Sequence, residues 1–128
     1  PGASALTASA SIAGISMRRF CFEGFLPKKK GRQTLLKQLA EEKERTIVIY
    51  ESPFRIEKTL KDIEDFIGKR DVVIVREITK IYEEVLRGNT TELIEKLEKN
   101  PIKGEIVLLI KPQEKEQRGG NKYVNDTD

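Results

Sequence analysis

Apolar positions in this chain change period several times, and each change marks an element. Thr46 to Tyr50 (Thr-Ile-Val-Ile-Tyr) is a short β-branched run without polar interruption, the pattern of a strand buried on both faces. Ile56, Leu60, Ile63 and Ile67 then recur at helical spacing and fall on one face. Ser52-Pro53 ahead of them has the grammar of a helix start, with Ser as N-cap and Pro at the first helical position, and Gly68 is the stop. Asp71 to Ile78 reads as the next buried strand and Glu83 to Arg87 as a short one before a Gly88-Asn89 turn. Asn89 with Glu92 resembles a capping box opening a helix through Lys99, with Leu93, Ile94 and Leu97 inward. Gly104 to Lys111 is the last strand.

Upstream, Arg19 to Leu26 has the aromatic composition of a strand ending at Pro27. Leu35, Leu36, Leu39 and Ala40 form a helical stripe after it. The small residues from Ala3 to Ala13 predict a further helix, packed closely on a sheet or against a ligand. After Pro112 the composition turns polar, and a disordered tail is expected over residues 112–128. Strands alternating with helices predict an α/β domain over residues 1–111, with a mixed, largely parallel sheet of about five strands and helices packed on it.

The 128 residues suit one domain. With no His and one Cys, the chain has no Ser-His-Asp triad, no imidazole metal ligand and no internal disulfide; no metal site is expected, and a reducing compartment is. No apolar run approaches a membrane span. Net charge is only +3, so any affinity for nucleic acid must come from local clustering.

Such a cluster exists. Lys28, Lys29, Lys30, Arg32 and Lys37 follow a strand end with no acidic residue among them. They suit RNA phosphates or a solvated loop, and they are not interleaved with aromatics. Two strand ends carry further polar groups: Tyr50-Glu51-Ser52-Pro53-Phe54-Arg55, and Arg76-Glu77-Ile78-Thr79-Lys80. Ligands of open α/β sheets gather at such ends, although ion pairs within the chain would account for the same charges. Cys21, between two phenylalanines, reads as a core residue.

Five segments together resemble a known family: Pro1-Gly2-Ala3-Ser4-Ala5, Phe22-Glu23-Gly24-Phe25-Leu26-Pro27, Tyr50-Glu51-Ser52-Pro53-Phe54-Arg55, Arg76-Glu77-Ile78-Thr79-Lys80 and Lys103-Gly104-Glu105-Ile106-Val107. In this order and spacing they resemble the C-terminal half of the tetrapyrrole (corrin/porphyrin) methylase superfamily, in the branch that methylates ribosomal RNA. The resemblance implies the C-terminal domain of a two-domain enzyme that uses S-adenosyl-L-methionine, held in a cleft against an N-terminal domain that this chain does not contain. It implies transfer of a methyl group to the 2′-hydroxyl of a cytidine in small-subunit rRNA, in the cytoplasm, by a homodimer. Residue by residue it implies cofactor contacts at Ser4, Ala5, Tyr50, Glu51, Ile78, Gly104 and Glu105, and RNA contacts at Lys28, Lys29, Lys30 and Arg32. The base that assists the hydroxyl stays open among Glu51, Glu77 and Lys80. Two alternatives remain: a methylase of a tetrapyrrole or other small molecule, and a non-catalytic RNA-binding or dimerisation module.

Overall fold

The computed structural model describes residues 19–79 and 82–113, without the side chains of residues 77–79, 82 and 83. Five strands and three helices alternate along them: β1 (Phe20–Phe25), α1 (Arg32–Ala40), β2 (Thr46–Glu51), α2 (Ile56–Phe66), β3 (Asp71–Thr79), β4 (Tyr82–Asn89), α3 (Thr90–Lys99) and β5 (Glu105–Ile110). The α/β class and the five-stranded mixed sheet follow the sequence pattern.

The proportion of parallel pairing does not. Strand order is β1-β2-β5-β3-β4, and only β1 and β2 pair in parallel; β2–β5, β5–β3 and β3–β4 are antiparallel. The cause is where β5 lands. β1, β2 and β3 share one direction, as helical crossovers require, but β5 runs against them and inserts between β2 and β3.

Alternation within each strand divides the core. Ile47, Ile49, Val72, Ile74, Ile106, Leu108 and Ile110 point to one face and join Leu36, Leu39, Ile56, Leu60, Ile63, Leu93 and Leu97 of the helices. Val48, Val73, Val75, Val107 and Leu109 point to the other, with Tyr50 and Val85 beside them. No residue of the three helices enters this second cluster.

Two local readings shift. The second helix starts at Ile56, not beside Ser52, and Arg55 is its N-cap residue. Ser52 O accepts the Arg55 N–H at 3.1 Å while its own N–H goes to Glu51 Oε1 at 2.8 Å, so residues 52–55 form a turn ahead of the helix. The Asn89–Glu92 capping box forms as the sequence predicts, with reciprocal bonds of 2.9 Å. The helix expected over Ala3 to Ala13 and the tail from residue 114 lie outside the described residues. Gln113, within the expected tail, still donates its N–H to Lys43 O at 2.8 Å.

Candidate functional site

Strand directions bring the carboxyl ends of β1, β2 and β3 and the amino ends of β4 and β5 to one end of the sheet. Register aligns them in rungs. Phe25, Tyr50, Val107, Val75 and Val85 follow one another across the five strands, and Glu51, Ile106, Arg76 and Glu84 form the next rung. Beyond it, Glu105 pairs with Glu77. Tyr50, Glu51, Gly104, Glu105 and the backbone of Ile78 therefore lie at one end of the sheet. Ser4, Ala5 and Lys80 lie outside the described residues.

A buried polar network underlies this edge. Arg32 opens α1 and is 5% exposed. Its guanidinium donates from Nε to Asp62 Oδ2 at 2.8 Å, from Nη1 to Pro27 O at 2.9 Å and from Nη2 to Thr59 Oγ1 at 3.0 Å. The Thr59 hydroxyl in turn donates to Glu51 Oε2. Glu51, 6% exposed, accepts the Ser52 N–H on its other oxygen, and the Arg55 guanidinium stands 3.9 Å from that atom. Each charge is matched, which a buried ion requires. The network ties the loop after β1 and the turn after β2 to one helix, α2.

This burial changes two expectations. Arg32 is turned inward and holds the loop, while Lys28, Lys29 and Lys30 beside it are exposed. Glu51, considered both as cofactor contact and as base, has both carboxylate oxygens engaged inside the protein. Arg76 donates from Nη1 to Lys103 O at 3.1 Å and pairs through Nη2 with Glu84, fastening the segment before Gly104. Gly104 has φ +89°, a backbone shape that disfavours side chains. Two buried guanidinium nitrogens, Arg55 Nη2 and Arg76 Nε, have no hydrogen-bond partner among the described residues.

Outside the network lies an aromatic group that sequence reasoning missed. Phe22 and Phe25 both meet Tyr50 edge-on, with centroids 5.2 and 5.6 Å away. Phe22 is 48% and Phe25 69% exposed. The available signal was Gly24 between two aromatics, the mark of a bulge. Cys21 is no nucleophile: burial, then the hydrogen bond to Glu23 and that carboxylate's charge, push its thiol up to about 11. Among the described residues no His, Cys, Asp or Glu cluster is fit to hold a metal, and no helix is long and apolar enough to cross a membrane.

Comparison with known proteins adds relatedness. The family model of the tetrapyrrole (corrin/porphyrin) methylases matches residues 1–94. Proteins named Ribosomal RNA small subunit methyltransferase I are similar over most of the chain: the one from Thermotoga maritima is 46% identical over 114 residues, 89% of this chain and 51% of that protein. The one from Pasteurella multocida is 47% identical over 121 residues, 91% of this chain and 43% of that protein. The chain thus spans about half the length of the curated relatives it matches. Among solved structures, cobalt precorrin-4 methyltransferase (CbiF), a cobalamin biosynthetic enzyme, superposes with a TM-score of 0.63 at 20% identity, covering 84% of this chain and 48% of that one. The methyltransferase CobJ gives 0.62 at 16% identity, covering 84% and 47%. At these identities the structural likeness concerns the fold.

Proposed function

The chain belongs to the tetrapyrrole (corrin/porphyrin) methylase family, and from that premise we propose that it forms one half of an S-adenosylmethionine-dependent methyltransferase acting on small-subunit ribosomal RNA. The observation that carries this reading is the asymmetry of resemblance: 46% and 47% identity to proteins named as rRNA methyltransferases, against 20% and 16% to methyltransferases of similar fold. The exposed Lys28–Lys30 loop suits a polyanionic substrate, as RNA is.

In this reading the strand-end edge is one wall of a cleft and the missing N-terminal half is the other. Tyr50, Gly104, Glu105 and the backbone of Ile78 line it, together with Ser4 and Ala5. The unmatched nitrogens of Arg55 and Arg76 suit a ligand that carries a carboxylate, as S-adenosylmethionine does. When bound, that cofactor supplies an electrophilic methyl group. The protein's part is alignment of the acceptor and exclusion of water. Glu51 positions the turn and leaves proton removal to Glu77 or, if neutral, Lys80. The acceptor is a cytidine 2′-hydroxyl: its oxygen would take the methyl group as the methyl–sulfur bond of the sulfonium breaks, leaving a neutral thioether, and its proton would pass to the base. The same reading places the protein in the cytoplasm, as a homodimer.

Methyl transfer by the full-length protein from tritiated S-adenosylmethionine to purified small ribosomal subunits tests this. We expect label in the rRNA at a linkage that resists alkaline hydrolysis, because a 2′-O-methyl group blocks it. Label entering a corrinoid precursor and never rRNA would overturn the reading. In calorimetry, the 128-residue chain alone should bind S-adenosylmethionine weakly or not at all, and the full-length protein clearly.

A further inference from the structure

The aromatic group on β1 flanks the proposed cofactor wall, and of its three rings only Tyr50 is shared with that wall. We propose that Phe22 and Phe25, backed by Tyr50, are a stacking platform for unpaired bases of the RNA substrate, beside the phosphate-facing Lys28–Lys30. The inference rests on the RNA reading above and adds which side chains hold the bases.

The platform is built by a backbone irregularity. In a regular strand Phe22 and Phe25 would point to opposite faces. The β1–β2 register shifts between Phe22 and Gly24, and Gly24 sits at φ +64°. That bulge re-aims Phe25 so that both rings reach Tyr50. A Cβ on Gly24 would lie 3.8 Å from the Phe22 ring, an ordinary contact, so the backbone angle is what calls for glycine. Among the described residues the strand that carries Phe22 and Phe25 is an edge strand, paired only with β2.

Charge identifies the occupant. From Gly24 through Ala40 there is no acidic residue. Glu23, the carboxylate next to Phe22 in sequence, is engaged by the Cys21 thiol, which donates to it at 3.0 Å. Buried protein–protein contacts are depleted in lysine. Exposed rings followed closely in the chain by three consecutive exposed lysines instead match the pairing of base stacking with phosphate attraction used on single strands.

The test uses the full-length protein and a short, single-stranded, purine-rich RNA with a fluorescent label, read by anisotropy at fixed salt. Phe25→Leu keeps an apolar side chain but removes the ring, and should weaken binding about tenfold. Phe25→Trp should retain binding, and affinity for a duplex of the same sequence should be unchanged by either. Replacing Lys28, Lys29 and Lys30 together with alanine should flatten the salt dependence, by about 0.7 in log–log slope for each lost phosphate contact. If the lysine variant loses affinity while Phe25→Leu binds as wild type, the platform is wrong and the RNA reading stands. If neither variant loses affinity, the RNA assignment of this face fails. Equal loss in Phe25→Leu and Phe25→Trp, with melting unchanged, overturns stacking. A sedimentation shift in Phe25→Leu overturns it also, by making the ring a protein contact.

Discussion

The two ends of the sheet are finished in opposite ways. At the end where β1 and β2 begin and β5 stops, chain segments are tied to one another. Lys111 N–H donates to Asp71 O at 3.0 Å, Thr90 N–H to Arg70 O at 3.2 Å, and the Arg70 guanidinium caps Lys111 O at 2.8 and 3.2 Å. Glu64 accepts the hydroxyls of Thr90 and Thr91, and Glu42 accepts the backbone N–H groups of Glu44 and Arg45 and the Arg45 guanidinium. At the opposite end the polar groups form an inner network in which two buried guanidinium nitrogens have no partner among the described residues, while rings and lysines face outward. The closed end is organised for stability. The open end keeps its exposed rings and lysines outside the network that holds its strand ends.

The sharpest way to break this comparison is at Arg32. It is the one cation of the basic segment that belongs to the scaffold. Arg32→Ala leaves Asp62 with only the exposed Lys58 at 3.5 Å and removes a donor from Thr59 and from Pro27 O, and breaking a buried pair from one side costs about 3 kcal/mol. Alanine at Lys28, Lys29 or Lys30, all exposed, should change stability by no more than about 0.5 kcal/mol each. Urea unfolding of the four variants measures both. An Arg32→Ala effect as small as that of the lysines would mean that the open end has no scaffold of its own.

That split within one basic run also marks the limit of what the sequence discloses. The runs forming β2, β3 and β5 and the stripe of α2 are legible because period and burial go together. The Asn89–Glu92 box is legible because both partners are three residues apart. Arg32 is not: its partners Thr59 and Asp62 lie 27 and 30 residues on, so nothing local separates it from its lysine neighbours. Ser52-Pro53 misleads for a related reason, since Glu51, bound from outside the motif by Thr59, takes the N–H that sets the turn. The site is legible as a place, because strand ends follow from strands. The ring platform is not, because it depends on one register shift.

A smaller effect sharpens the closed end. Asn89→Ala deletes the side-chain acceptor for Glu92 N–H and with it one half of the capping box. The expected loss is about 1 kcal/mol, seen as a lower thermal midpoint. RNA affinity should be unchanged, because Asn89 ends β4 at the far end from the lysines. A loss of affinity with native stability would contradict the division of labour between the two ends.

The smallest effect is set by pH and bears on the same end. Hydrogen bonds from Thr90 and then Thr91 hold the Glu64 carboxyl below its ordinary value of 4.5, against a smaller opposing desolvation. At Glu42, desolvation raises the value but is outweighed by bonds from Arg45 and Glu44, so it too is lowered. A carboxyl depressed by folding contributes stability above its unfolded value, and that contribution fades as pH falls through the folded one. Wild type should therefore exceed Glu64→Gln in urea midpoint near neutrality, and the difference should close as pH drops below about 4.5. Glu42→Gln should behave alike. A gap that stays constant from neutral to acid pH would show that these carboxylates work by shape alone, leaving the closed end without charge-dependent ties of its own.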